Sequence, residues 1–150
     1  ITGNLLAIEA PHTFGPIACQ VKTQKSTADS TAESALASLS NGVKKAGLPA
    51  LDLWEVLRSR DLILKAKEDS RAATKSVEKG YSPTMRYLHR TEKIRLGFLQ
   101  EIFSGDQAEL EHCPTDFIRA DPLTKAIAPQ KWGLAMAQLG LQFFPTLPSS

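Results

Sequence analysis

The spacing of apolar positions changes several times along the chain, and each change marks an element. "NLLAIEA" (residues 4–10) and "PIACQVKT" (16–23) are short apolar runs separated by "PHTFG", whose Pro11 and Gly15 punctuate a connection between strands. They predict a hairpin. From Ser30 the period lengthens: Ala32, Ala35, Leu36, Leu39 and Val43 recur at helical spacing, predicting a helix that ends near Gly47. Pro49 can open a second, short helix, "ALDLWEVLRSR", with Leu51, Trp54 and Leu57 on one face.

"LILKAKE" (62–68) then reads as a strand and "SRAATKSVEKG" as a helix stopped by Gly80. "YSPTMRYLHR" reads as a loop, and "TEKIRLGFLQEIFSG" as a helix with Ile94, Phe98 and Ile102 in an i, i+4, i+8 stripe that Gly105 ends. "AELEHCP" is a last short strand. Asp121-Pro122 opens "PLTKAI", and "PQKWGLAMAQLGLQFF" supplies a C-terminal helix carrying Trp132, Met136 and Leu139 on one side, before a tail at 145–150. Two strands, helices, a strand, helices, a strand and a helix predict an α/β fold, a mixed sheet flanked by helices. Trp54, Phe98 and Trp132 sit in apolar helical stripes and are expected in the core.

A length of 150 residues with 42% hydrophobic and 23% charged content fits one domain, placed at residues 1–144. The net charge of +2 makes no global case for nucleic-acid binding, which must rest on local clusters. Cys19 and Cys113 lack metal-ligand spacing and read as free thiols. No run approaches the roughly 20 apolar residues of a membrane helix, and the N-terminus lacks the basic region of a signal peptide. A soluble, intracellular protein of unspecified compartment is the expectation, and the start at Ile1 points to an origin in a longer polypeptide.

His12, His89 and His112 have no metal-site spacing, and the P-loop, GxGxxG and GxSxG patterns do not occur. Three acids at predicted element ends remain: Glu33, Asp69 in "KEDSRAA" and Asp121 in "RADPLTK". Carboxylates converging from distant positions are what magnesium takes, and two-metal phosphodiester hydrolysis uses such a cluster. Each acid has a plain structural reading as well. Asp69 and Asp121 stand where helix caps stand, and Glu33 in a first helical turn suits the dipole.

Several blocks in order resemble the ribonuclease H domain of copia-type retrotransposon polyproteins. "GPIACQVKTQKSTADSTAESALASLS" resembles the strand and Ser-Thr-x-Glu-Ala-Glu helix start of that family, and "GLPALDLWEVL" the segment that continues it. "EDSRAATKSVEKGYSPTMRYLHRTEKIRLGFLQEIF" is similar to its Asp-Asn-x-x-Ala block, Pro-Thr-x-Arg-His loop and Arg-Thr helix. "ELEHCPTDFIRADPLTKAI" is similar to its closing Ala-Asp-x-x-Thr-Lys block, so that the likeness covers roughly residues 1–140.

The resemblance implies magnesium-dependent cleavage of RNA in RNA/DNA hybrids, with Asp69 and Asp121 as inherited metal ligands and catalytic residues. The departures matter equally. Glu33 matches the first glutamate of the helix-start motif, but Ala35 stands where the metal-binding second one belongs. Two helix positions differ by about 200° in direction, so Glu33 is a poor substitute. The family's first metal Asp lies on a strand before the segment matched by Ile1, which leaves two of four carboxylates for a two-magnesium site. The implied activity is therefore impaired, and the alternative is an inactive captured domain that binds or builds within a larger assembly.

Arg86, His89, Arg90, Lys93 and Arg95, with Glu92 as the only acid from Tyr81 to Gln100, could hold hybrid phosphates or simply form a solvated face. The implied partners are the hybrid itself and the reverse transcriptase region upstream in such polyproteins. The family's sheet order, three-two-one-four-five, puts Cys19 and Cys113 on opposite edges and the absent first strand at the centre. Without it, a gap of roughly 10 Å separates "NLLAIEA" from "LILKAKE". Such a gap cannot persist in a stable domain, so either those strands close up and pair or a foreign strand enters; two edges left open to solvent would mean that the hairpin is wrongly aligned with the family's second and third strands.

Overall fold

Alternating apolar residues on either side of a Pro-containing turn do form a hairpin. In the computed structural model, which describes residues 1–23, 31–59, 61–81 and 90–141, β1 (Thr2–Ala10) pairs antiparallel with β2 (Thr13–Lys22). Phe14 and Gly15 belong to β2, so the connection shrinks to Pro11 and His12. The register shifts between Leu6, opposite Ala18, and Ala7, opposite Pro16. Ile17 is the extra residue of a bulge beside a proline that has no N–H to give the ladder.

The helix predicted to end at Gly47 does not stop there. Helix α1 (Thr31–Gly42) runs through a π turn (Val43–Gly47) into α2 (Leu48–Arg58). Pro49 cannot donate to a carbonyl four residues back, and the wider turn, in which the Leu48 N–H bonds to the Val43 carbonyl, places Pro49 in the first turn of α2 where no donor is required.

Strand β3 (Leu64–Glu68) pairs in parallel with β4 (Ala108–His112), from Leu64 opposite Ala108 to Glu68 opposite His112. Parallel strands need a long crossover. Here α3 (Arg71–Lys79) and α4 (Arg90–Phe103) supply it, and Gly80 ends α3 with φ 61°. The chain is thus mixed α/β, with helices and two two-stranded sheets.

The core joins Leu36, Leu39 and Val43 to Ala73 and Val77 of α3 and Leu96 and Leu99 of α4. The expected stripe on α4 is corrected. Leu96 and Leu99 are 0% exposed, while Phe98 and Ile102 pack at the core's edge. Apolar residues occupy much of the circumference of α4, so several stripes satisfy the helical period and packing against α1 and α3 selects one. Leu51 of α2 is buried, but Leu57 is exposed.

Trp132, expected in the core, is 52% exposed. The predicted C-terminal helix is a 3₁₀ turn (Pro129–Lys131) followed by the two-turn α5 (Trp132–Gln138), which buries only its small Ala135. "PLTKAI" forms no α-helix, only a 3₁₀ turn at Asp121–Leu123. Cys19 is exposed and Cys113 half-buried, both free as expected. No helix among the described residues is long and apolar enough to cross a membrane. The loop at 82–89 and the tail at 145–150 lie outside the described residues.

Of the two expected arrangements, closure of β1 on β3 does not occur, and no strand among the described residues lies between them. Among the described residues no backbone hydrogen bond joins the two strand pairs, and a groove of about 400 Å³ lies between them. Helix α1 underlies both sides. Asn4 of β1 bonds Ser38 twice, its amide donating to the carbonyl at 3.4 Å and its Oδ1 accepting from the hydroxyl at 3.3 Å. Gly42 and Gly47 allow the approach, since a Cβ on either would lie 3.0 Å from Asn4 and Leu64 respectively. With neither arrangement found among the described residues, the alignment of the hairpin with the family's second and third strands is corrected.

Replacing Leu99 by Ala is expected to lower the unfolding free energy by about 2–5 kcal/mol, as for a fully buried leucine, while Val56→Ala, on the exposed face of α2, changes it by less than about 0.5 kcal/mol. Urea titration of both variants checks the contrast.

Candidate functional site

The residues bordering the groove reveal how its walls are made. Strand β1 contributes the consecutive residues Thr2–Ala7, and β3 contributes all of Leu64–Glu68, followed by Asp69 and Ser70. Each of these strands has one backbone partner, β2 or β4, and its other edge is unpaired among the described residues. Helix α1 contributes Thr31, Ser34, Ala35, Ser38, Leu39 and Gly42 at helical spacing, which makes it the floor. Residues 117–121 and Thr124 also line it, as do Glu9, Phe14 and residues 18–20 of the hairpin and the π turn. Residues 117–121 are tied to the hairpin by the Arg119 guanidinium, 3.8 Å above the Phe14 ring.

Asp69 and Asp121, 52 positions apart in sequence, both border this groove. Neither is a helix cap, contrary to the plain reading. Ser70 caps α3, its hydroxyl oxygen accepting from the Ala73 N–H at 3.2 Å. Asp69 is displaced one residue earlier, is exposed, and accepts from the Thr115 hydroxyl at 3.1 Å. Asp121 opens its 3₁₀ turn without a side-chain cap. Instead its Oδ1 lies 2.7 Å and its Oδ2 2.9 Å from the Lys125 ammonium. That bond raises the Lys125 pKa, against desolvation, and the charges of Asp121, Asp69 and Asp116 add to the effect.

Ala35 borders the groove and Glu33 does not. The two positions point apart as helix geometry requires, so Glu33 does not join Asp69 and Asp121. Arg86 and His89 lie outside the described residues, as does the side chain of Arg90, which begins α4. Lys93 is exposed and Arg95 half-buried on that helix, and neither borders the groove.

Glu68 is the acid that the sequence reading passed over. It is half-buried in the groove wall, and its pKa rises from 4.5 to about 7, first through burial. The Ser70 N–H, bonded to its Oε1 at 3.2 Å, opposes the rise, and neighbouring Asp69 adds to it. A signal was present. In "LKAKE" the period of two puts Glu68 on the face of Leu64 and Ala66, which turns inward while Lys65 and Lys67 turn out.

These donors do not fit a pair of magnesium ions. An ammonium already lies on both oxygens of Asp121, Thr115 holds Asp69, and Ala35 offers no oxygen. No group of three or more His, Cys, Asp or Glu arranged for a metal occurs among the described residues. In comparisons with family models, curated proteins and solved structures, nothing matches the chain.

Raising a carboxyl pKa on folding stabilises the fold where that carboxyl is protonated. The contribution of Glu68 is therefore complete below about pH 4.5 and fades as pH rises through about 7. Glu68→Gln is expected to flatten the stability profile across that window and to be the more stable protein at pH 8, by on the order of 2 kcal/mol. Urea unfolding of both proteins between pH 4 and 8 measures it; parallel profiles would contradict the assignment.

Proposed function

We propose that the chain is a ribonuclease H-like domain of copia-type retroelement descent in which hydrolysis of RNA in RNA/DNA hybrids is lost or severely impaired, so that it works as a binding or structural subunit of a larger assembly. The observation supporting this reading is the junction of Asp69 and Asp121 at one groove with Ala35, not a carboxylate, on the helix beside them. The Lys125 ammonium on Asp121 supports the same conclusion, because it neutralises a carboxylate that a metal site would need ionised and open. The reverse transcriptase region of the parent polyprotein is the natural partner on this reading.

Magnesium or manganese added to the chain with an end-labelled RNA/DNA hybrid is expected to give no more cleavage than the Asp69→Asn/Asp121→Asn double variant, and Ala35→Glu alone is not expected to restore it. Metal-dependent cleavage by the natural chain that the double variant loses would overturn the proposal and establish an active nuclease.

A further inference from the structure

We infer that β2 pairs along its outer edge with β2 of a second copy of this chain, antiparallel about a two-fold axis at Cys19. The inference rests on the reading of the chain as a structural subunit and names one of its neighbours. Strand β2 is 10 residues long, and its one strand partner among the described residues is β1. From Pro16 to Lys22 every residue is exposed, with Ile17 at 48% and Val21 at 52%. Successive side chains point to opposite faces, so both faces of this stretch are accessible. Its outer row of N–H and C=O groups has no backbone partner among the described residues. Pro16 and the bulge at Ile17 guard the half of β2 next to the turn, whereas residues 18–21 carry no charge and no proline. A long, uncharged and partly apolar edge is a template for another strand.

Self-pairing requires that the sequence complement itself when reversed. With the axis at Cys19, Val21 of each copy lies opposite Ile17 of the other, Gln20 opposite Ala18, and Lys22 opposite Pro16. Two pairs of β-branched side chains then flank the centre, and no charge meets a like charge. Pro16, which has no N–H to give, falls at the end of the ladder, where little is lost. The outer edge of β4 fails the same requirement. Turned on itself about Leu110, it sets Glu109 opposite Glu111 twice over, and like charges directly opposite destabilise a pair. Charge therefore selects β2 of the two outer edges. An isologous contact of this kind closes at two copies, giving one four-stranded sheet across the dimer.

Sedimentation equilibrium of the natural chain, its thiols kept reduced, is expected to show monomer and dimer and no larger species over roughly a hundredfold range of concentration. Oxidation by copper-phenanthroline in air joins thiols only where their Cα atoms come within roughly 7 Å. It is expected to link Cys19 of the two copies ahead of any product through Cys113. Cys19→Lys sets two ammonium groups opposite each other and Cys19→Glu two carboxylates, so each variant alone should dimerise roughly fivefold more weakly or worse. Mixed, the two should pair with each other, which also shows that both fold. The inference is overturned by a chain that stays monomeric, by larger open-ended assemblies, by oxidation that links Cys113 first, by variants that dimerise as the natural chain does, or by a mixture no tighter than its components. Hybrid cleavage would overturn the proposed function and leave the dimer intact, whereas a monomer that does not cleave would overturn this inference alone.

Discussion

Helix α1 holds together two half-sheets that share no backbone hydrogen bond among the described residues. Its apolar side, Leu36 and Leu39, continued by Val43 of the π turn, is buried against α3 and α4, which carry the crossover between β3 and β4. Another side meets β1 through Ser38 and Gly42, and the π turn beyond meets β3 through Gly47. Burial of that apolar cluster is non-directional and sufficient to fix the helices. It leaves the strand edges to find their own partners, and each pair finds one on its outer side only.

That imbalance explains the character of the site. Two small sheets flank one groove, and Asp69 and Asp121 both border it without a carboxylate from α1. Each is engaged by a neighbouring side chain: the Thr115 hydroxyl donates to Asp69, and the Lys125 ammonium pairs with Asp121. Glu68, closer to the apolar wall, is raised towards neutrality by its burial. Four acids border the groove, Glu9, Glu68, Asp69 and Asp121, and each has a neighbouring side chain or its own burial acting on it.

Much of this was legible in the sequence, for identifiable reasons. The hairpin, β3, α3 with its Gly80 stop, and β4 were marked by period and punctuation. Block order and helical arithmetic suggested that Asp69, Asp121 and Ala35 share one region without Glu33, and all three border the groove while Glu33 does not. Other features depend on tertiary choice. α4 has several apolar stripes and packing selects Leu96 and Leu99; Pro49 is absorbed by a π turn that no spacing announces; and Trp132 stays half-exposed because α5 is too short to bury it. Capping misled for a local reason: Ser70, one residue after Asp69, has the better reach to the Ala73 N–H. The expectation that the gap would be closed or filled was not met among the described residues, where α1 contacts both strand pairs and each keeps a single partner strand.

Amide hydrogen exchange along β1 and β3 in the isolated chain tests the central claim directly. Two half-sheets with facing open edges predict alternation: within each strand, amides bonded to β2 or β4 are protected, and those between them, facing the groove, exchange at rates close to those of exposed loops. Uniform protection along both strands would mean that the inner edges are already paired, and the account of an open groove beneath two half-sheets would be wrong.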